Sequence, residues 1–140
     1  MNEEQALIRP IGWWLKEADT RLNAAFDLAL ADTDVDRRGW QVLASLRRGP
    51  TPRSGLVSTL ASFEPPAAIE EIIDRMSARG WIEESAELVR LTPAGEEKQQ
   101  ALAPLVDGVR QQVSAALPEQ EYTALVGLLS RLVEVFPPTT

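Results

Sequence analysis

The strongest constraint on the fold of this chain lies in residues 65–95, where a helical pattern, an extended pattern and a second helical start follow one another closely. Apolar residues recur there at helical spacing, namely Ile69, Ile72, Ile73 and Met76. Gly80 then stands where a helix can end in a left-handed residue, and Thr92 followed by Pro93 is a capping pair that opens another helix. Residues 81–82 and 88–91 are β-prone runs around a short polar turn, with residues 85–86 expected at its tip.

A helix, a two-stranded hairpin and a further helix at this scale outline a winged helix. Helices are also predicted over residues 36–48 and 51–60, and together with residues 66–79 they form a helix-turn-helix. In such a motif the last helix enters the major groove of DNA. The chain is therefore predicted to be mostly α with a small β-hairpin wing, and to bind DNA.

Three further helices bring the predicted total to six, and they cover residues 10–31, 93–116 and 118–136. Each carries an apolar stripe, and nothing between them is large enough to cover three stripes. We therefore expect them to pack together and partly against a second copy, in a dimer with two-fold symmetry. Residues 1–140 are thus expected to form one domain, with residues 36–91 as the winged helix-turn-helix and residues 10–31 and 93–136 as dimerisation helices.

The chain contains no cysteine and no histidine. Their absence excludes disulfides, thiolate nucleophiles, zinc sites built from Cys and His, and a Ser-His-Asp triad. No catalytic residue, metal site or cofactor is therefore predicted. The N-terminus lacks an apolar signal core and the apolar runs are too short to span a bilayer, so we expect a cytoplasmic protein without membrane contact.

The net charge of −7 is unevenly distributed along the chain. Basic and acidic residues are equal in number in residues 36–91, so the whole negative excess lies outside the predicted winged helix. An acidic body would repel DNA, and the neutral middle is the surface expected to approach it.

Four sequence segments carry a resemblance to a known family. In chain order they read GWQVLASLRRG, TPRSGLVSTL, IIDRMSARGWI and LVRLTPAGEE, and they stand between long terminal helices. Over nearly its full length the chain resembles the MarR family of bacterial transcription regulators. The resemblance implies a homodimer formed by the terminal helices, palindromic double-stranded operator DNA, and repression relieved by a small-molecule effector bound between the dimer region and the winged helix.

Candidate DNA-binding residues follow from the helix-turn-helix and from the resemblance. Two of them begin the predicted helix over residues 51–60, where phosphate contacts are common. Four lie on the outward side near the start of the recognition helix. The last two are an arginine later in the recognition helix and an arginine in the wing. They are Arg53, Ser54, Ala67, Ala68, Glu70, Glu71, Arg75 and Arg90.

The wing departs from the family pattern, since it lacks the usual Asp-x-Arg element and is acidic at Glu83, Glu84 and Glu87. Affinity for DNA rises with the number of cationic contacts to phosphate, so we expect weak or strongly salt-limited binding. The alternative hypothesis is a winged-helix protein-interaction module that has lost strong DNA binding. A third hypothesis, an enzyme in the dimer crevice, is disfavoured by the lack of His and Cys.

A ligand pocket is predicted from the aromatic residues, with a dimer contact as the alternative for Trp13 or Trp14. Trp13 and Trp14 are adjacent on the first helix, and Arg21 lies two turns further on, where it could pair with an anionic ligand. Trp40 is the fourth candidate, although an aromatic residue at helical spacing is more often part of a core. An exposed or salt-bridged arginine is the alternative for Arg21.

Overall fold

The computed structural model describes residues 2–138, and its regular structure is mainly helical. In chain order the elements are α1 (Glu3–Leu7), α2 (Ile11–Ala29), α3 (Arg37–Arg47), α4 (Arg53–Leu60), α5 (Pro66–Ala78), β1 (Ile82–Ser85), β2 (Leu88–Leu91), α6 (Pro93–Ala116) and α7 (Glu119–Val135). The predicted fold class, a mostly helical winged helix with a small hairpin, is confirmed. Within residues 2–138 no helix combines the length and the apolar character needed to cross a lipid bilayer.

The described residues contain seven helices, so the prediction of six was wrong. The additional helix is α1, which a capping box starts: the Asn2 side chain accepts from the Gln5 amide at 2.8 Å, and the Gln5 side chain accepts from the Asn2 amide at 3.1 Å. The indole of Trp14 donates to the Ala6 carbonyl at 3.1 Å and holds α1 against α2. This helix is too short to show an apolar period, which is why the sequence pattern did not reveal it.

Helices α3, α4 and α5 form the helix-turn-helix, and their ends have clear local causes. Asp36 caps α3 by accepting from the Gly39 amide at 2.8 Å. Beyond the C-terminus of α5, Gly80 takes a φ of +78°, its amide bonds to the Ser77 carbonyl, and the Trp81 amide bonds to the Met76 carbonyl at 3.1 Å. These are the two hydrogen bonds of a Schellman motif, so the left-handed end predicted at Gly80 is confirmed.

The wing is a two-stranded antiparallel hairpin in which Ile82 pairs with Leu91 and Ser85 pairs with Leu88. Its tip is formed by Ala86 and Glu87, one residue later than predicted, and both have positive φ values, of 53° and 63°. A two-residue loop with positive φ at both positions matches the right-handed twist of the strands, and strand pairing rather than turn propensity selected it here.

The wing is also attached to the start of the helix-turn-helix. Thr51 and Val89 exchange two backbone hydrogen bonds, at 3.0 and 2.8 Å, as an isolated antiparallel bridge. Thr51 was predicted to open the third helix. Instead it pairs with the wing, and α4 begins at Arg53 after Pro52.

A single apolar core joins α3, α4, α5, the hairpin and part of α6. Its fully buried members include side chains from each of these elements: Leu43, Leu56, Ile69, Ile73, Ile82, Val89 and Val106. Burial of that kind contributes roughly 1.5–3 kcal/mol for each large aliphatic side chain. The core therefore fixes the wing and the recognition helix α5 to the same scaffold.

The chain divides into two compact units, of which one ends at Val106 and the other begins at Asp107. In the second unit, α7 presents large apolar side chains to solvent, and they are Tyr122, Leu125, Val126, Leu128, Val133 and Val135. In the first unit, Leu7, Ile8 and Ile11 at the N-terminal end are likewise exposed. The assignment of the terminal helices to a dimer remains a prediction.

Candidate nucleic-acid interface

The outer face of α5 brings together the residues predicted to face DNA bases. Ala67, Glu70 and Glu71 are exposed and Ala68 is half-buried, while the opposite side of the helix packs into the core through Ile69, Ile72, Ile73 and Met76. This helical spacing leaves one face of α5 open to solvent along its length. With Asp74 further along, that open face is acidic.

A cluster of three charged side chains links α4, α5 and the wing. The guanidinium of Arg53 donates from Nη2 to Asp74 Oδ1 at 2.8 Å and from Nε to Glu84 Oε1 at 3.1 Å, and Nη2 also reaches Glu84 Oε1. We call this cluster the Arg53 clasp. Arg53 stands at the first position of α4, Asp74 on α5 and Glu84 on β1. The clasp therefore joins the three elements from which a DNA contact would be built.

The clasp strongly favours the charged form of Arg53. The hydrogen bonds that the guanidinium donates to Glu84, and then those to Asp74, raise the pKa of Arg53 above its ordinary value. Two carboxylates against one guanidinium leave the cluster with a net charge of about −1. Arg53, which the sequence predicts to contact phosphate, is thus already paired with carboxylates within the protein.

The other candidates are distributed around this cluster. Ser54 is exposed at the second position of α4, and Arg75 is exposed on α5, where it forms no ion pair within the described residues. The neighbouring Asp74 pairs with Arg53.

Arg90 lies in β2 rather than at the wing tip, directly across the hairpin from Glu83. It is half-buried, and in the described part of the chain its Nε atom is shielded from solvent without a hydrogen-bond partner. Leu88 and Val89 separate it from Glu87 at the tip, so the structure does not present Arg90 as the leading residue of the wing.

A second charged cluster surrounds Asp34, and the sequence analysis did not identify it. Asp34 accepts from Arg79 at 2.7 Å and from Lys98 at 2.6 Å, and both cations lie over the ring of Trp81 at 5.1 and 5.0 Å. The hydrogen bond from Lys98 is the largest of the effects that lower the pKa of Asp34 below its ordinary value. Arg79 thus ties the C-terminal end of α5 to the loop before α3.

A cavity with a volume of about 600 Å³ lies behind the recognition helix. Ile72, Arg75 and Met76 of α5 form one wall. Leu30, Asp34 and Trp81 are among the residues that complete the lining. The cavity thus has apolar, aromatic, cationic and acidic groups, since Asp27 and Asp36 line it as well, and one wall belongs to the helix that would read DNA.

The four residues predicted to form a ligand pocket do not line this cavity. Trp13 and Trp14 stack edge to face with a centroid separation of 4.7 Å, and Arg9 covers the Trp13 ring at 4.0 Å. Arg21 is bonded to Glu17 at 2.9 Å, and Trp40 is only 4% exposed within the core. The structure therefore gives Trp40 a packing position.

Comparison with solved structures shows similar chains with the same fold. A probable transcriptional regulator from Pseudomonas aeruginosa is 31% identical, with a TM-score of 0.73 over 90% of this chain and 98% of that chain. BpsR from Bordetella bronchiseptica is 26% identical, with a TM-score of 0.74 over 90% of this chain and 95% of that chain. The study of BpsR concerns the regulation of its DNA binding by 6-hydroxynicotinic acid.

A mutant of MarR from E. coli complexed with operator DNA has a TM-score of 0.75 over 89% of this chain and 94% of that chain. At 22% identity it shows the shared fold. No protein-family model and no curated protein matches the chain.

Proposed function

This chain belongs to the MarR family of transcriptional regulators, and on that premise we propose that it is a homodimeric repressor that binds operator DNA and responds to a small-molecule effector. The chain is a DNA-binding regulator and not an enzyme. The single observation that carries the proposal is the open outer face of α5 on a helix-turn-helix, since this is the surface that such a motif places in the major groove.

DNA contact is proposed at the N-terminal part of α5 and the start of α4. Ala67, Ala68, Glu70 and Glu71 would face bases, and glutamate can accept a hydrogen bond from the N4 amino group of cytosine. Arg53, Ser54 and Arg75 would lie towards phosphates. Arg90 would play a smaller part, because it lies away from the wing tip.

A homodimer is supported by the apolar surface of the terminal helices. Tyr122, Leu125 and Val126 of α7 lie on one face of that helix and are at least 40% exposed in a single chain. Contiguous exposed apolar surface of this kind marks an interface, and a two-fold partner would cover it with the same residues from the second copy.

An effector site is proposed in the cavity behind α5. Ile72, Arg75 and Met76 belong to the recognition helix, so the shape of the cavity depends on the position of α5. A ligand that fits the cavity in only one position of α5 would therefore stabilise that position. BpsR, whose DNA binding 6-hydroxynicotinic acid regulates, makes a small aromatic acid a reasonable first probe. An Arg75→Ala variant is the control, because binding of the same acid should weaken when a residue that lines the cavity is truncated.

A mobility-shift assay with DNA flanking the gene tests the proposed function. A shift at low salt that weakens as salt is added supports it, and a properly folded dimer that gives no shift at low salt contradicts it. The second candidate, a winged-helix protein-interaction module, would then be favoured. It is supported by the exposed carboxylates of α5 and of the wing, and by the internal pairing of Arg53.

A further inference from the structure

The Arg53 clasp involves a residue of the surface proposed to contact DNA, because Arg53 begins α4. Its two carboxylates occupy Nε and Nη2 of the guanidinium, which form one edge of the planar fork. A phosphate group is recognised by arginine through the same kind of paired donors. Phosphate and the two carboxylates therefore compete for one side chain.

We propose that Glu84 and Asp74 act as built-in competitors of DNA phosphate for Arg53, so that the clasp limits both the affinity for DNA and its dependence on salt. This inference rests on the proposed DNA-binding function. It makes Glu84 and Asp74 residues that set the affinity for DNA by acting through Arg53.

Solvent exposure makes the competition possible. The side chains of Asp74 and Glu84 are 67% and 38% exposed, while that of Arg53 is 29% exposed. Exposed ion pairs contribute little to folding, because water competes for both partners. The clasp can therefore open when a stronger anion arrives, and its loss does not threaten the fold.

Electrostatics sets the direction of the effect. If Arg53 turned to a phosphate, both carboxylates would lie beside that phosphate without their cation, and like charges at close range repel. In the intact clasp the DNA instead meets a cluster of net negative charge. Both states are unfavourable for binding, so removal of the two carboxylate charges must strengthen it.

Three sets of variants test this proposal with a mixed-sequence duplex of about 30 base pairs, which spans about three helical turns. The clasp variant is Glu84→Gln with Asp74→Asn. The matched control is Glu83→Gln with Glu87→Gln, which removes the same charge from wing residues that form no ion pair within residues 2–138. The third set adds Arg53→Gln to the parent and to the clasp variant. Because contacts with phosphate are independent of sequence, no operator is needed.

The clasp variant is expected to bind the duplex about ten-fold tighter than the parent, in keeping with one added charge-assisted contact. The slope of log affinity against log salt should become steeper by about 0.9, the value for one more phosphate. The control should gain at most about three-fold without a change of slope. Arg53→Gln should weaken binding by the parent about two- to three-fold, because it removes a positive charge from the surface proposed to contact DNA, and it should remove the whole gain of the clasp variant.

Equal gains in the clasp variant and the control would overturn the proposal, because general charge reduction would then explain both. A gain that survives Arg53→Gln would overturn it as well. Thermal unfolding by circular dichroism establishes that each variant is folded before its affinity is compared.

Failure of the clasp and failure of the proposed function give different results. If the parent binds and the clasp variant binds no tighter, only the clasp fails. If the parent does not bind but the clasp variant does, the clasp is supported and DNA binding by the present sequence is refuted. If neither binds at low salt, both are refuted.

Discussion

At the scale of single residues, Gly95 is a site where the fold leaves no room for a side chain. It lies in the first turn of α6, where its amide donates to the Thr92 hydroxyl at 3.0 Å. A Cβ atom at this position would lie 1.8 Å from the carbonyl oxygen of Trp81. That oxygen belongs to the backbone at the entry to the wing, so it cannot rotate away as a flexible side chain could.

Gly95→Ala is therefore expected to lower the free energy of unfolding by about 2–3 kcal/mol, as overpacking with a backbone shift does. Gly108→Ala, on the same helix with no atom within 4 Å of the added Cβ, should instead raise it by about 0.5–1 kcal/mol through helix propensity. Urea unfolding of both variants measures the difference. Two effects of the same sign would contradict this account of Gly95.

Asp34 gives the stability of the chain a component that depends on pH. Because Lys98 and Arg79 face its carboxylate, its pKa in the folded chain lies below the ordinary value of 3.8. A lowered pKa stabilises the fold above the unfolded value, and this stabilisation is lost as the pH falls through the folded value. Asp34→Asn should then reduce the free energy of unfolding at neutral pH by about 1 kcal/mol or less, since the pairs are exposed.

Urea unfolding of the parent and of Asp34→Asn across the acid range tests this prediction. The difference between the two proteins should begin to shrink as the pH falls below about 4, where Asp34 of the unfolded chain takes up a proton, and it should disappear below the lower pKa of the folded chain. A difference that stays constant with pH would show that the carboxylate charge is not its cause.

At the scale of elements, the wing combines well-paired strands with an unfavourable turn. Ala86 and Glu87 both hold positive φ, a conformation that glycine or asparagine adopts far more readily than other residues. The hairpin tolerates this because four residue pairs and the bridge between Thr51 and Val89 hold the strands in register. The conformation of the turn therefore lowers the free energy of unfolding, which offsets part of the stabilisation from strand pairing.

Glu87→Gly is expected to raise the free energy of unfolding by about 1 kcal/mol, because glycine removes the steric penalty of the left-handed region. Glu87→Ala is the matched control, since it removes the same charge but keeps a Cβ atom. Thermal and urea unfolding compare the two. An equal gain in both variants would assign the effect to charge and not to backbone conformation.

At the scale of the whole molecule, the proposed dimer depends on the apolar face of α7. Leu125→Glu places a charge on that face, and we expect it to convert the dimer to monomers because a buried unpaired charge is strongly unfavourable. Ala124→Glu adds the same charge to the opposite side of the same helix and should leave the dimer intact. Light scattering after size-exclusion chromatography measures the mass of each.

A monomeric parent would contradict the dimer directly. A parent dimer that Leu125→Glu leaves unaffected would move the interface away from this face of α7. The exposed N-terminal residues Leu7, Ile8 and Ile11 would then be the next surface to test.

The sequence by itself determined the elements that depend on neighbours along the chain. Local sterics and hydrogen bonds decide features that are specified within a few residues. Examples are the apolar period of α5, the left-handed Gly80 after it and the cap formed by Thr92. The order of these elements was then enough to predict the winged helix. The tip of the hairpin was misplaced by one residue, because strand pairing selected the turn.

Only the tertiary structure decided which charges meet. Arg53 pairs with residues 21 and 31 positions further along the chain, and Asp34 joins Arg79 to Lys98. Trp40 packs in the core, and the cavity of about 600 Å³ lies behind α5, a place that the pattern of aromatic residues did not indicate. A long charged side chain can reach many partners, and the partner it takes depends on the positions of whole elements. Those positions are set by burial of the common core, which no short stretch of sequence contains.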